Sequence, residues 1–290
     1  HEQYMKRAIE LAELGRGYTS PNPMVGCVIV KNDNVVSEGF HQCCGQNHAE
    51  RNAILRLANK FSLERSTLYV NLEPCSHHGK TPPCADLIAQ YPFERVVVCN
   101  ADPNPLVAGR GIEKIRNAGI DVTMGVLEEE GRFLNRRFFT YMEKQRPYII
   151  LKWAQTRDGF MDIDRTDNTQ KSYWITNEKL KCEVHKWRTQ EAAIMVGTQT
   201  VVNDNPQLTS RLWYGRNPLR IAIDRKGRIP QHSSILDGST PTVVYTENQD
   251  LESSDNLQYV LINFDNFLNE LLADLWQRKV QSVIVEGGFR

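Results

Sequence analysis

Apolar and polar positions alternate along this chain with two periods, one of 2 and one near 3.6, and the switches between them mark the elements. Residues 5–14 place Met5, Ala8, Ile9, Leu11 and Ala12 on one side and Lys6, Arg7, Glu10 and Glu13 on the other. That predicts an amphipathic helix, stopped by Gly15 and Gly17. The apolar runs 26–30 and 35–40 flank Asn32-Asp33-Asn34 and predict a hairpin. Residues 48–57 read as helix, 67–72 as an alternating strand, 84–90 as helix and 95–100 as a buried strand. A turn-rich loop over 102–111, a helix over 112–118 closed by Gly119, and a strand over 121–126 complete this part. Strands alternating with helices predict a layered α/β sheet.

A single charged, aromatic-rich helix is expected over 128–144, with Leu134, Phe138, Tyr141 and Met142 as its apolar stripe. It ends before Pro147, and the domain connection is placed here, dividing the chain into 1–144 and 145–290. Alternation then restarts: strand 148–154, helix 176–189, strands 192–197, 218–224, 241–246 and 258–262, helix 267–278 and strand 281–286. This is a second α/β unit, and 290 residues agree with two domains at roughly 150 residues each.

Composition narrows the function. Thirty-five Lys plus Arg against thirty-five Asp plus Glu leaves no basic excess for coating nucleic acid or an anionic membrane. No apolar run approaches the roughly 18 residues of a membrane span, and the charges within 5–14 exclude a signal peptide there. Seven cysteines, an odd and irregularly spaced set, fit a reducing compartment, so a cytoplasmic protein is expected. The chain begins at His1 and stops at Gly287-Gly288-Phe289-Arg290, and native residues are expected to be missing from its end.

The strongest chemical signal is His48-Ala49-Glu50 followed by Pro74-Cys75 and, after eight intervening residues, Cys84. One imidazole and two thiolates make three zinc ligands and leave a fourth tetrahedral position for water, whose pKa zinc lowers towards roughly 7. His48 and Glu50 are about 200° apart on a regular helix, so both face one ion only at a helix start. A glutamate there that is not a ligand is a proton shuttle. A closed structural site is the other reading, with His77, His78, Cys43 or Cys44 as fourth ligand, but it has no use for Glu50. Cys27 and Cys99 lie in apolar strands and read as core fillers.

The constellation resembles the zinc nucleobase deaminases, whose signature is H-x-E…P-C-x-x-C, with eight residues here where that pattern has two. The strings PCSHHGKTPPC (74–84) and DPNPLVAGRG (102–111), together with Pro21-Asn22-Pro23 and Arg137-Phe138, resemble the bifunctional riboflavin-biosynthesis deaminase/reductase family over nearly the whole chain. The resemblance implies a cytidine-deaminase-like three-layer domain followed by a dihydrofolate-reductase-like α/β domain that uses NADPH. It implies hydrolysis of the exocyclic amine of 2,5-diamino-6-ribosylamino-4(3H)-pyrimidinone 5′-phosphate by zinc-activated water with Glu50 moving the protons. NADPH then reduces the ribosyl group to a ribityl chain. Asn22, His41, His77, Lys80, Asp102 and Asn104 would line the pyrimidine and ribose-phosphate pocket. Gly109 and Gly111, ahead of a helix, would offer backbone N–H groups to the anion, with Lys80 and Arg110 adding charge. A rigid double turn is the other reading of Asp102 and Asn104.

In the second half the same resemblance implies that Ala154, Trp174, Thr200, Asp204 and Gly288 contact NADPH. It also implies that Ser172, Arg188, Leu208, Arg211 and Glu286 face the substrate, and that Lys152 lies in the pattern. Trp174 as a core aromatic and Arg188 as a solvated helix charge stay open. Residues 161–171 are longer and more acidic than the family's segment, and the family continues with a helix and strands past Gly288, so the reductase half is expected to be incomplete. The resemblance also implies a homo-oligomer. Two rivals stand: a nucleoside or tRNA deaminase with an unrelated second domain, and a zinc-stabilised binding module without catalysis.

Overall fold

The computed structural model describes residues 1–57, 63–77, 82–104, 108–161 and 175–287. The chain divides into two compact units, His1–Lys144 and Gln145–Arg290.

Five strands carry the first unit: β1 (Gly26–Lys31), β2 (Asn34–Phe40), β3 (Thr67–Leu72), β4 (Arg95–Asn100) and β5 (Asp121–Met124). They lie in the order β2-β1-β3-β4-β5; β1 is antiparallel to β2 and β3, while β3, β4 and β5 run parallel. The hairpin turn holds Asn32 and Asp33 at φ 49° and 59°, the left-handed pair that a two-residue hairpin loop requires. Successive side chains of a strand point to opposite faces, so each strand serves two cores. Cys27, Ile29, Leu68, Val70, Val96 and Val98 pack with Ala53 and Ile54 of α2 (Ala49–Leu55), Ile88 of α3 (Cys84–Ile88) and Ile115 of α4 (Arg110–Asn117). The intervening Val28, Val30, Tyr69, Val97 and Cys99 pack with Met5, Ala8 and Leu11 of α1 (Glu2–Glu13). The outcome is three layers, and the two expected core cysteines sit on opposite faces. Each large aliphatic side chain fully buried this way contributes about 1.5–3 kcal/mol. Gly26 lets α1 approach: a Cβ there would strike the Ala8 carbonyl and lie 2.7 Å from the Ala12 nitrogen.

The single helix expected over 128–144 is instead two, α5 (Glu128–Leu134) and α6 (Arg136–Lys144). Asn135 breaks it at φ −95°, ψ 22°. Its buried side chain accepts the Met24 N–H at 2.9 Å and donates to the Met24 carbonyl at 2.9 Å. The apolar pattern runs unbroken through the interruption, since Leu134 and Phe138 are both buried, so periodicity carries no sign of it. The helix expected over 112–118 also starts earlier, at Arg110.

The second unit is a six-stranded sheet in the order β10-β9-β8-β7-β11-β6, with every pairing parallel. Its strands are β6 (Tyr148–Lys152), β7 (Ala193–Gly197), β8 (Leu219–Ile223), β9 (Thr242–Thr246), β10 (Leu257–Leu261) and β11 (Ser282–Glu286). Ala193, Ile221, Val243 and Val283 face Leu271 and Leu275 of α9 (Phe267–Gln277). Ile194, Ala222, Val244 and Ile284 face the other way, towards Val201 of α8 (Thr198–Asp204). Burial on both faces explains the near-continuous apolar runs read in the sequence. Helix α8 has no counterpart in the sequence expectation, because TQTVVND buries only Thr198 and Val201. Between β6 and β7 lies α7 (Glu178–Gln190), opened by Asn177, whose side chain accepts the Leu180 N–H. Since all strands run one way, their carboxyl ends share one edge of the sheet, where open α/β folds bind ligands.

Candidate zinc centre and reductase crevice

His48 is the residue that turns the chain into α2: it is extended (φ −73°, ψ 166°) and Glu50 follows in the first turn. This is the helix-start arrangement that lets both side chains face one point. Cys84 opens α3, and Cys75 follows the end of β3. His48 Nδ1 lies 3.5 Å from the sulfurs of both Cys75 and Cys84, and the three ligand atoms are within 4.8 Å of one another. Tetrahedral zinc at ordinary Zn–N and Zn–S lengths separates such N and S ligands by about 3.5 Å, so the donor set fits the ion. Among the described residues Cys43, Cys44 and His77 do not join this group.

Local electrostatics prepare the ligands. Hydrogen bonding from the Cys84 thiol pulls the Cys75 thiol down, helped by His48 and by the Cys84 backbone N–H, which donates to the Cys75 sulfur at 3.3 Å. Cys84 is correspondingly pushed up by that thiolate and by burial. Its bond to Cys75 raises His48. Glu50 is 3% exposed; burial raises its carboxyl, and its Oε2 makes no hydrogen bond among the described residues.

His41 and Asn22 meet beside this centre. His41 is buried, its Nδ1 donates to the Asn47 carbonyl at 3.0 Å, and its Nε2 accepts from Asn22 Nδ2 at 3.1 Å. Burial lowers its pKa, which keeps the ring neutral in this tautomer. The His41 and His48 rings meet edge to face at 5.2 Å. Two buried amides hold the segment after Asn22: Asn71 accepts the Gly26 N–H and, with Asn135, donates to the Met24 carbonyl.

Asp102 is buried at the end of β4, where burial pushes its carboxyl up to about 6, with Glu73 and Cys75 adding to the rise. Its Oδ1 accepts the Asn104 N–H at 2.8 Å, the contact that the turn reading of this pair expects. The anion site expected at Gly109 and Gly111 is corrected. The carboxylate of Glu73 already accepts the N–H groups of Gly109, Gly111 and Ile112 at 3.1, 3.1 and 3.4 Å. Sequence reasoning passed over Glu73; its only signal is a charged residue directly after an apolar strand. Arg110 and His77 are exposed, and Lys80 lies outside the described residues.

In the second unit, Arg188 is buried, not solvated: Nη2 pairs with Glu286 at 3.1 Å and Nη1 donates to the Thr209 carbonyl at 3.1 Å. Lys152, at the end of β6, is 3.8 Å from the other oxygen of Glu286. Thr200 sits beside Gly287, where a Cβ would come within 3.8 Å of its hydroxyl, and a Cβ on Gly197 would meet nothing. Main chain left open at the ends of β7 and β11 fits the close approach of a dinucleotide. Ala154 is half-buried beyond β6, and Asp204 is exposed at the end of α8. Leu208 adopts φ 55° and its side chain belongs to the core. Arg211 is exposed, and its loop is tied down where the Leu212 N–H donates to His185 Nδ1 at 3.3 Å. Ser172, Trp174 and Gly288 lie outside the described residues. Sequence reasoning also missed Arg220, fully buried, which bonds Thr242, Asp237 and the carbonyls of Gln207, Ser234 and Thr240.

Residues 1–100 match the family described as the cytidine and deoxycytidylate deaminase zinc-binding region, and residues 147–290 match the RibD C-terminal domain. The riboflavin biosynthesis protein RibD of Actinobacillus pleuropneumoniae is 43% identical over 98% of this chain and 77% of its own length. That of Aquifex aeolicus is 42% identical over 100% and 81%. Among solved structures, the diaminohydroxyphosphoribosylaminopyrimidine deaminase/5-amino-6-(5-phosphoribosylamino)uracil reductase of Thermotoga maritima superposes with a TM-score of 0.89. It is 45% identical over 99% of this chain and 80% of that one. RibD of Acinetobacter baumannii superposes with a TM-score of 0.87 at 37% identity over the same shares. With a zinc-ligand triad beside a buried glutamate in one unit and a parallel-sheet crevice in the other, this chain belongs to the RibD family of bifunctional, zinc- and NADPH-dependent deaminase/reductases of riboflavin biosynthesis.

Proposed function

We propose that residues 1–144 deaminate 2,5-diamino-6-ribosylamino-4(3H)-pyrimidinone 5′-phosphate and that residues 145–290 reduce the ribosyl group of the product. The observation that carries this is the buried Glu50 carboxylate in the first turn of the helix that His48 opens, with Cys75 and Cys84 against His48. Zinc held by His48, Cys75 and Cys84 supplies Lewis-acid activation of water at neutral pH. Glu50 takes one proton from the attacking water and passes it to the ring nitrogen, then takes the remaining hydroxyl proton of the adduct and delivers it to the departing amine, so that water and the C–NH2 group become carbonyl and ammonia. Burial raises this carboxyl and makes it a stronger base than an exposed glutamate. His41, donating to Asn47, turns the Asn22 amide so that its oxygen is free to accept from a pyrimidine amine. Asp102 and Asn104 take the polar edge of the sugar.

In the second unit NADPH supplies the hydride when bound. Thr200, Asp204 and Ala154, with Trp174 and Gly288, hold it. Arg188 is oriented by Glu286 and Thr209, Lys152 lies against the same carboxylate, and with Arg211 these cations bind the substrate phosphate, with Ser172 as a further substrate contact. We further propose a self-associating cytoplasmic enzyme. No helix among the described residues is long and apolar enough to cross a membrane.

The test is Glu50→Gln in the full chain. Ammonia release falls by roughly 100- to 10,000-fold while NADPH oxidation on pre-deaminated substrate continues. Loss of both activities in a folded variant overturns the two-site reading.

A further inference from the structure

Glu73 is 3% exposed, and among the described residues the hydrogen bonds its carboxylate accepts come from backbone amides. Oε2 accepts from Asp102 at 3.3 Å and Gly109 at 3.1 Å; Oε1 accepts from Gly111 at 3.1 Å and Ile112 at 3.4 Å. A buried carboxylate is tolerated when several amides and a helix N-terminus compensate its charge, and here the start of α4 does so. Gly111 makes the approach possible: a Cβ there would strike the Pro74 carbonyl and come within 3.3 Å of Glu73 Oε1. The main chain of Glu73 is fixed in turn, its N–H donating to the Asn100 carbonyl at 2.9 Å.

A chain of bonds results. The Glu73 carboxylate holds the Asp102 amide, and the Asp102 carboxylate holds the Asn104 amide at 2.8 Å. The segment that carries Glu73 continues directly into Pro74 and the ligand Cys75. We propose that Glu73 is a positioning residue for recognition of the phosphorylated pyrimidine. It is an internal anion that holds the Asp102 amide and the start of α4 together, so that Asp102 and Asn104 are aimed relative to the metal ligands. The amides that a substrate phosphate would otherwise occupy serve this purpose, and the substrate phosphate is bound elsewhere. The inference rests on the reading that Asp102 contacts substrate.

Deamination kinetics of the zinc-loaded full chain test it, with Glu73→Ala, Glu73→Gln, Asp102→Ala and the double variant Glu73→Ala/Asp102→Ala. A positioning role raises KM tenfold or more in Glu73→Ala with kcat within threefold, and leaves zinc content and NADPH-dependent reduction of pre-deaminated substrate unchanged. Formate, a small carboxylate able to accept the same amides, restores KM in Glu73→Ala. Acting through Asp102 also predicts non-additivity, with the double variant no worse than Asp102→Ala within twofold. Unchanged KM in both Glu73 variants overturns the proposal, as do fully multiplicative effects. Loss of zinc, or failure of both Glu73 variants to fold, assigns Glu73 a structural role instead. If Asp102→Ala leaves KM unaltered, the substrate reading fails, a result distinct from Glu73 failing while Asp102→Ala raises KM.

Discussion

The zinc centre and the reductase crevice solve the problem of holding charge inside a protein in different ways. In the first unit the buried Glu73 is answered by four backbone amides, while the Cys75 thiolate is answered first by the Cys84 and His48 side chains and then by the Cys84 N–H. In the second, buried cations are held by carboxylates and backbone carbonyls together: Arg188 by Glu286 and the Thr209 carbonyl, Arg220 by Asp237 and the carbonyls of Gln207, Ser234 and Thr240, with Lys152 near Glu286. Backbone amides are fixed by helix starts and strand ends, so a short stretch of chain builds the first site. Arg188 and Glu286 stand 98 positions apart, and only the parallel sheet brings them together. A metal ion needs a few donors at fixed distances, whereas a dinucleotide needs a long edge, and each architecture matches its ligand.

Metal removal breaks the comparison most sharply. Dialysis of the full chain against a chelator lowers ammonia release more than a hundredfold and leaves NADPH oxidation on pre-deaminated substrate intact; an equal loss of both would show the sites to be interdependent. Arg188→Met comes next. Removing one partner of a buried ion pair costs about 3 kcal/mol, read as a lower urea midpoint, and the reductase activity falls with it. The double variant Arg188→Met/Glu286→Leu recovers much of that stability but none of the reduction. If the double variant is as unstable as the single one, the ion pair is not the source. The smallest effect is a pH slope. Burial, with Arg188 and Arg211 close by, depresses His185 to about 4. The unfolded chain therefore binds the extra proton first, so the contribution is complete above about pH 6.5 and is lost as pH falls towards about 4. His185→Gln flattens this part of the stability profile, measured by chemical denaturation between pH 4 and 7, and an unchanged slope refutes the assignment.

The strands were legible because alternation is a local property: 67–72 and 95–100 match β3 and β4 residue for residue. The ligand set was legible because histidine, cysteine and a non-ligand glutamate at a helix start have few other uses. Helix α8 was not, since its burial is slight, and neither was the break at Asn135, whose partner Met24 lies 111 positions away. The amides of Gly109 and Gly111 looked available to an anion because sequence shows donors without showing which acceptor has reached them. Leu208 looked like a pocket residue, yet its side chain fills the core.

Two layered α/β units, a thiolate–imidazole ligand set and the glutamate beside it were settled by the order of residues alone, because periodicity and donor chemistry act over a few positions. Tertiary structure decided that β11 enters between β6 and β7, that Glu73 takes the amides at the head of α4, and that Arg188 is paired in the interior. These depend on which buried polar group meets which partner, and that choice is made between segments far apart in the chain, by the need to leave no buried charge or amide unanswered.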